Sequence, residues 1–330
     1  MSRSFLKWAG GKHKVADSLL KLVREKRPHE IDWSVCHGQR YHEPMLGSGS
    51  MYFRLKDSGF IDTRKLSYLS DINEILITAM ETVRDKNSLP DLKYELGELQ
   101  RLYPLDLPHP NPRNQSKSQR ERRMFYRKRR ELNQLLKNFG KKTHEEKVRI
   151  SSLTIFLNKT CFNGLWRMNS KGEFNTPEGA YDNPKNIFQN SVLDDCHSFL
   201  KSSRLCVQDW RTSLKHAKKG DLVYVDPPYL PINIGGSTFT DYHSSGFTME
   251  DQIQLAESLT SAATKGVRII ASNHDTIGNP NVREIYNNAA NEFGIISPEI
   301  HSIDVSRTIN CKGEGRVKVK EVLIFVKPEV

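Results

Sequence analysis

Asp226-Pro227-Pro228-Tyr229 follows directly on the apolar run Leu222-Val223-Tyr224-Val225, placing an acid, two imides and an aromatic ring at the carboxyl end of a buried strand. An exocyclic amine conjugated into a base such as adenine is a poor nucleophile. Acceptors on its two N–H bonds turn its lone pair toward an electrophile. Asp226 supplies one acceptor; Pro227 supplies a carbonyl, and the fixed φ of successive prolines holds both at one angle. Tyr229 offers a ring for stacking on the base. An ordinary strand-ending turn is the alternative reading of Asp-Pro-Pro, and the preceding strand and following aromatic weigh against it.

Upstream, Glu43-Pro44-Met45-Leu46-Gly47-Ser48-Gly49-Ser50 follows a second apolar run and leads into a helical pattern, where glycines let a turn pass close to a ligand. It lacks the third glycine of a dinucleotide fingerprint, so alone it reads equally as a tight strand-to-helix turn. The next run ends near Asp71, whose carboxylate can accept both hydroxyls of a ribose. Together these point to an adenosine-containing cofactor without a pyrophosphate, and no Walker-type lysine pattern competes. Phe5-Leu6-Lys7-Trp8-Ala9-Gly10-Gly11-Lys12 gathers aromatics, two glycines and two lysines in one loop. That suits a ligand cradle, with core packing of Trp8 as the alternative.

The elements that must position these residues are short apolar runs at 41–46, 66–69, 204–207, 222–225 and 267–271, separated by helix-length segments. They predict a doubly wound α/β sheet with parallel strands. Two β-rich stretches at 299–305 and 317–326, joined by a loop at 310–315, predict an antiparallel hairpin on its edge, which makes the sheet mixed. Between residue 75 and about residue 190 the strand rhythm gives way to helical patterns and a Pro/Asn/Ser-rich link at 103–119. The expected organisation is therefore a catalytic domain at 1–75 and 191–330, and an inserted, mainly helical domain at 76–190.

At 330 residues the chain can bury an α/β core and carry a second unit. Its net charge of +11 is local: residues 112–149 hold 14 Lys+Arg against 4 Asp+Glu. Such a stretch suits a polyanion or, alternatively, a solvated helix face. The cysteines at 36, 161, 196, 206 and 311 form no C-x-x-C pair, so neither zinc nor a disulfide framework is indicated. No run has the length of a signal-peptide core or a membrane span, and a soluble cytoplasmic protein is expected.

FLKWAGGK, EPMLGSGS, SDIN, the segment Asn163-Gly164-Leu165-Trp166-Arg167 with Gly172-Glu173-Phe174-Asn175-Thr176-Pro177, DPPY, and Ser272-Asn273-His274-Asp275 occur in one order. That order resembles the Dam-type DNA adenine-N6 methyltransferases from Phe5 to about Lys327. The resemblance implies a Rossmann-like fold and S-adenosylmethionine as methyl donor, with no metal. It places Trp8, Ala9, Gly10, Lys12, Glu43, Pro44, Gly47, Gly49, Ser50, Asp71 and Asp226 around that donor, and Asp209 and Trp210 beside its adenine. The target base is received by Asp226, Pro227, Pro228 and Tyr229, with Asn273 and His274 lining the same cleft.

The same resemblance makes 161–181 a target-recognition hairpin and double-stranded DNA the partner of a monomeric enzyme with no membrane association. Arg167 is suited to guanine O6 and N7, Leu165 and Pro177 to a thymine methyl, Phe162 and Asn163 to the gap left by an extruded base, and Lys7 to the outer guanine. GATC is the implied target. Trp166, Met168 and Met45 depart from the family pattern, as does the length of the Pro-rich link. Two other readings are a cytosine-N4 methyltransferase and a DNA-binding regulator without catalysis. Asp at position 226 and the block order favour adenine over the first; the intact glycines, Asp71 and DPPY weigh against the second.

Overall fold

The computed structural model describes residues 4–8, 12–35, 38–103, 116–137, 142–179, 187–229, 247–275, 281–306 and 318–329. Ala9, Gly10, most of the Pro-rich link, Tyr181 and the loop at 310–315 lie outside them. In chain order the elements are α1 (His13–Lys26), β1 (Tyr41–Glu43), α2 (Ser50–Asp57), β2 (Ser67–Asp71), α3 (Glu74–Arg84), α4 (Ser88–Leu102), α5 (Lys117–Arg122), α6 (Met124–Lys137), α7 (His144–Thr160), α8 (Asn190–Leu200), β3 (Ser203–Val207), α9 (Trp210–Leu214), β4 (Leu222–Val225), α10 (Met249–Thr264), β5 (Arg268–His274), α11 (Val282–Glu292), β6 (Glu299–Ser306) and β7 (Lys318–Val326). Two compact units emerge. A helical unit comprises Met1–Gly11, Gly47–Phe53 and Asn73–Lys201; a sheet unit comprises Lys12–Leu46, Arg54–Ile72 and Ser202–Val330.

The sheet unit is a Rossmann-like, doubly wound mixed sheet in the order β3-β2-β1-β4-β5-β7-β6. The first five strands are parallel, and β7 pairs antiparallel with both β5 and β6, as the sequence leads one to expect. Winding reverses between β1 and β4, and in such sheets the crevice beyond the strand ends at this point takes the ligand. β4 and β5 are buried along their whole length, which is why β4 and the centre of β5, residues 269–272, read as apolar or small-residue runs. Val223, Val225, Ile269, Ala271 and Ile324 pack with Leu255 and Leu259 of α10 and Tyr286 of α11. Each fully buried aliphatic side chain contributes about 1.5–3 kcal/mol, so this core holds the strand ends at fixed register.

Two strand limits differ by three residues from the sequence reading, each for a local reason. β1 stops at Glu43, because Pro44 has no N–H to continue the ladder. β5 runs to His274, three residues beyond expectation, because β7 pairs Asn273 with Val322 and His274 with Glu321.

In the helical unit α7 is buried on nearly every face, including Ile150, Leu153, Phe156 and Leu157. α3, α4 and α6 pack against it, and polar Ser151, Ser152, Thr154, Asn158 and Thr160 are buried among its apolar residues. A capping box between Thr143 and Glu146 starts it. Ser151 Oγ donates to Thr82 Oγ1 at 2.8 Å and Thr82 Oγ1 to Thr78 O at 2.8 Å, whereas the buried Thr154 hydroxyl has no hydrogen-bond partner among the described residues.

The basic stretch is not one solvated face. Arg123 is buried, with Nε 2.6 Å from Glu178 Oε2 and Nη2 3.0 Å from Oε1, and Tyr103 donates its hydroxyl to Glu178 at 2.7 Å. Arg129 lies over the Tyr126 ring and reaches the carbonyls of Asn175 and Thr176 at 3.4 Å each. Arg149 pairs with Glu95 and Glu131. Arg122 and Arg127 remain exposed.

Candidate active site

Asp226 follows β4 immediately, beside the β5 ladder, where Val225 pairs with Ala271. Its two carboxylate oxygens have different surroundings. Oδ1 accepts from Ser272 Oγ at 2.8 Å and Tyr229 Oη at 2.9 Å, and lies 3.2 Å from Lys12 Nζ. Oδ2 carries no such contact among the described residues, and neither does the Pro227 carbonyl. One oxygen is anchored and the other is left without a hydrogen-bond partner among the described residues.

The anchoring groups come from four places in the sheet unit. Ser272 and His274 lie on one face of β5 by strand alternation, and the His274 ring centroid is 4.1 Å from that of Tyr229. Asn273 lies on the opposite face, where its amide donates to Gln252 Oε1 of α10 at 3.0 Å, so it does not line the cleft with His274. Lys12, just before α1, places its ammonium 3.0 Å from Glu321 Oε2, in hydrogen-bond contact with the Tyr229 hydroxyl and 4.3 Å from that ring's centre. Tyr229 Oη also lies 3.0 Å from Glu321 Oε2. Pro227 is buried and Pro228 exposed.

Burial pushes the Asp226 carboxyl above the usual carboxylate range; the Lys12 ammonium opposes this and Glu321 reinforces it. Burial, then the Asp226 and Glu321 carboxylates, push the Tyr229 phenol well above its ordinary value. Tyr229 is therefore a donor throughout the neutral range.

The expected cofactor residues divide between the units. In the sheet unit, Asp71 ends β2 and its carbonyl accepts from Gln208 N at 3.1 Å. Next to it Ile72 is 75 % exposed, and Val207, paired with Asp71, is 48 % exposed. A carboxylate that can accept from both hydroxyls of a ribose diol, beside apolar surface that can cover a planar base, fits an adenosine. Glu43 and Pro44 are buried, and Glu43 accepts from Tyr41 Oη at 2.7 Å. Asp209 caps α9, accepting from Arg211 N at 2.8 Å, while Trp210 is buried in the core beneath the Arg211 guanidinium.

In the helical unit, Gly47 and Gly49 have φ of +51° and +67°, and Ser50 opens α2. A Cβ at Gly47 would stand 3.4 Å from the Trp8 ring, and one at Gly49 3.0 Å from Phe53. The turn is as bare as close approach by a ligand needs. Trp8 stacks on Trp166 at 6.2 Å, and Trp166 on Phe174 at 4.3 Å, which ties the amino-terminal loop to the expected recognition segment.

That segment is an irregular hairpin, with bridges Cys161 to Glu178 and Met168 to Phe174 and a tight turn at Asn169–Gly172. Arg167 is exposed, and its Nε donates to Asn175 Oδ1 at 2.9 Å. No carboxylate pairs with it among the described residues. Asn163 and Pro177 are exposed, while Phe162 and Leu165 are half-buried. Gly164 is required: a Cβ there would meet Lys7 Cβ at 2.7 Å. Asn158 of α7 pins Lys7, accepting from its N at 2.7 Å and donating to its O at 2.6 Å.

A family model of D12 class N6 adenine-specific DNA methyltransferases matches residues 8–303. The chain belongs to this family. It is 32 % identical over 325 residues to the type II methyltransferase M.MjaIII of Methanocaldococcus jannaschii, covering 98 % of each chain. It is 29 % identical over 329 residues to the DNA adenine methylase of Escherichia coli K12, covering 100 % of this chain and 97 % of that protein. Identity to the type II methyltransferase M1.LlaDCHI of Lactococcus lactis is 28 % over 329 residues, or 98 % and 94 % of the two chains.

Three residues of this adenine-N6 methyltransferase escaped the sequence reading. Glu321 enters the site only through the antiparallel register of β7, Ser272 was quoted only within a motif, and Asn158 lies inside a buried helix. Their only sequence signal is polarity at positions otherwise apolar. Among the described residues no group of His, Cys, Asp and Glu side chains is arranged to hold a metal ion. No described helix is long and apolar enough to cross a membrane.

Proposed function

We propose that this chain methylates the exocyclic N6 of an adenine extruded from double-stranded DNA, with GATC as its target. The asymmetric anchoring of Asp226 carries the reading: Oδ1 is held by three donors, which leaves Oδ2 and the Pro227 carbonyl to accept the two N–H bonds of the amine. S-adenosylmethionine, when bound, supplies an electrophilic methyl group. Asp71 with Ile72 in the sheet unit suits its adenosine part. Asp226 then stabilises the positive charge that grows on the amine, the kind of preorganised acceptor from which most such acceleration comes.

DNA recognition is assigned to the helical unit. Arg167 keeps two terminal nitrogens for a guanine edge; Leu165, Pro177, Phe162 and Asn163 belong to the same hairpin, and Lys7 packs beside its Gly164. Single-molecule sequencing of unmodified genomic DNA treated with the protein tests the whole reading. N6-methyladenine confined to GATC is expected; methylation of cytosine, or of adenine in another context, overturns it. Arg167→Ala is expected to cost about 1–3 kcal/mol of discrimination at one base position, read in the same maps as methylation at near-cognate sites.

The exposed arginines give a separate expectation. Arg122→Glu with Arg127→Glu weakens binding to every duplex alike and lowers the slope of log K against log salt by about 0.9 for each phosphate that is no longer neutralised. Fluorescence anisotropy across a salt series measures both. A change confined to GATC duplexes would place these residues at base edges instead.

A further inference from the structure

Five groups join Asp226 in a network whose hydrogen-bonding pairs outnumber its protons. Lys12 Nζ touches Asp226 Oδ1, Glu321 Oε2 and Tyr229 Oη; Tyr229 Oη touches Asp226 Oδ1 and Glu321 Oε2. Ser272 Oγ donates to Asp226 Oδ1, and Tyr224 Oη lies 2.7 Å from Ser272 Oγ. Within this cluster that makes seven pairs. With both carboxylates ionised, Lys12 brings at most three protons and Tyr229, Ser272 and Tyr224 one each, so at least one pair lacks a hydrogen. Tyr229 can donate to only one of its two carboxylates at a time. The network has room for one further proton.

Charge points the same way. Lys12 is buried between Asp226 and Glu321, both within 3.2 Å. Facing a single carboxylate, the ammonium would neutralise Asp226 and weaken it as an acceptor for a developing cation. Shared between two, it leaves the cluster with a net negative charge.

We propose that Glu321 is a positioning residue for methyl transfer: it draws the Lys12 ammonium off Asp226 and so leaves the Asp226 carboxylate basic enough to take the proton shed by the methylated amine. The inference rests on the function proposed above. As the C–N bond forms, the donor's C–S bond breaks with its electron pair staying on sulfur. The amine nitrogen then loses one proton to the Asp226 carboxylate, and the cluster later returns it to water. Lys12, expected from the sequence beside the cofactor, acts here on Asp226.

The test pairs two substitutions of opposite charge. Removing an anion lowers the pKa of Asp226 and removing a cation raises it, while Glu43, Tyr224, His274 and Ser272, which also face this cluster, stay in place. Glu321→Gln is expected to lower plateau kcat at least tenfold, shift the acid limb of the pH profile to lower pH, and leave equilibrium binding of S-adenosylmethionine and DNA within twofold. Lys12→Met is expected to shift that limb to higher pH.

Carbon-13 titration of Asp226 in the protein without substrates should move in the same two directions. It reads the charge coupling independently of the substrate, so a wrong substrate assignment fails in the methylation maps and leaves this result standing. Unchanged plateau and limb in Glu321→Gln overturn the proposal. If that variant does not fold, an Asp226 titration that is unmoved or moves downward in Lys12→Met overturns it equally.

Discussion

Asp226→Ala is expected to lower kcat by roughly 10²–10³, the range for removing one preorganised hydrogen-bonding group at a developing charge, while S-adenosylmethionine binding persists. The sharper form of the experiment is Asp226→Asn. Ser272, Tyr229 and Lys12 all present donors to the Oδ1 position, so the amide oxygen must settle there. Its NH2 group then occupies the Oδ2 position and points two hydrogens at the amine it should grip. A donor faces a donor, and the isosteric change is as damaging as the truncation. A filter assay of tritiated methyl transfer measures both; an Asn variant retaining more than a tenth of wild-type kcat removes Asp226 from this role.

Because burial raises the Asp226 carboxyl, its ionised form is a cost to the fold at neutral pH, offset in part by Lys12. The sign follows: an acid whose folded pKa lies above its unfolded value destabilises above the unfolded value, and the penalty is absent at lower pH. Both Asp226 variants should accordingly melt no lower than wild type near pH 7. Activity and stability are opposed at this residue, as is common where a site keeps a charge out of water.

Arg123→Met is expected to destabilise the protein by about 3–5 kcal/mol, because it leaves a buried carboxylate without its cation. Glu178 is buried, and both its oxygens are committed to Arg123 and Tyr103. At about 2–4 °C for each kcal/mol in a domain of 150–250 residues, the midpoint of the transition should fall by roughly 10 °C. Arg122→Met, one residue away and exposed, should stay within about 0.5 kcal/mol and instead cost DNA affinity. Calorimetry separates the two; equal midpoints for Arg123→Met and wild type would refute a structural role for this arginine.

Arg122 and Arg123 illustrate how far the amino-acid order is legible. Charge density correctly marked 112–149 as unusual, yet it could not distinguish adjacent arginines, because an ion pair across 55 residues leaves no local pattern. Trp210 shows the same limit from the apolar side. The family resemblance placed it beside a cofactor adenine, and the α9 turn packs it in the core under Arg211, a placement that its residue type alone does not announce. Conversely, the strands were readable because burial on both faces makes a run apolar irrespective of its partners.

By itself the chain order determined the acceptor pair at the end of β4, the bare glycine turn after β1, the acid at the end of β2 and the edge hairpin. Each depends on residues adjacent in sequence, where proline geometry, glycine freedom and hydrophobic alternation act locally. Only tertiary structure decided which Asp226 oxygen is anchored, that Lys12 and Glu321 bracket it, and that Arg123 is buried. Those outcomes depend on pairings across tens to hundreds of residues, and it is the register of β5 against β7 and the packing around α7 that bring such side chains within hydrogen-bonding distance.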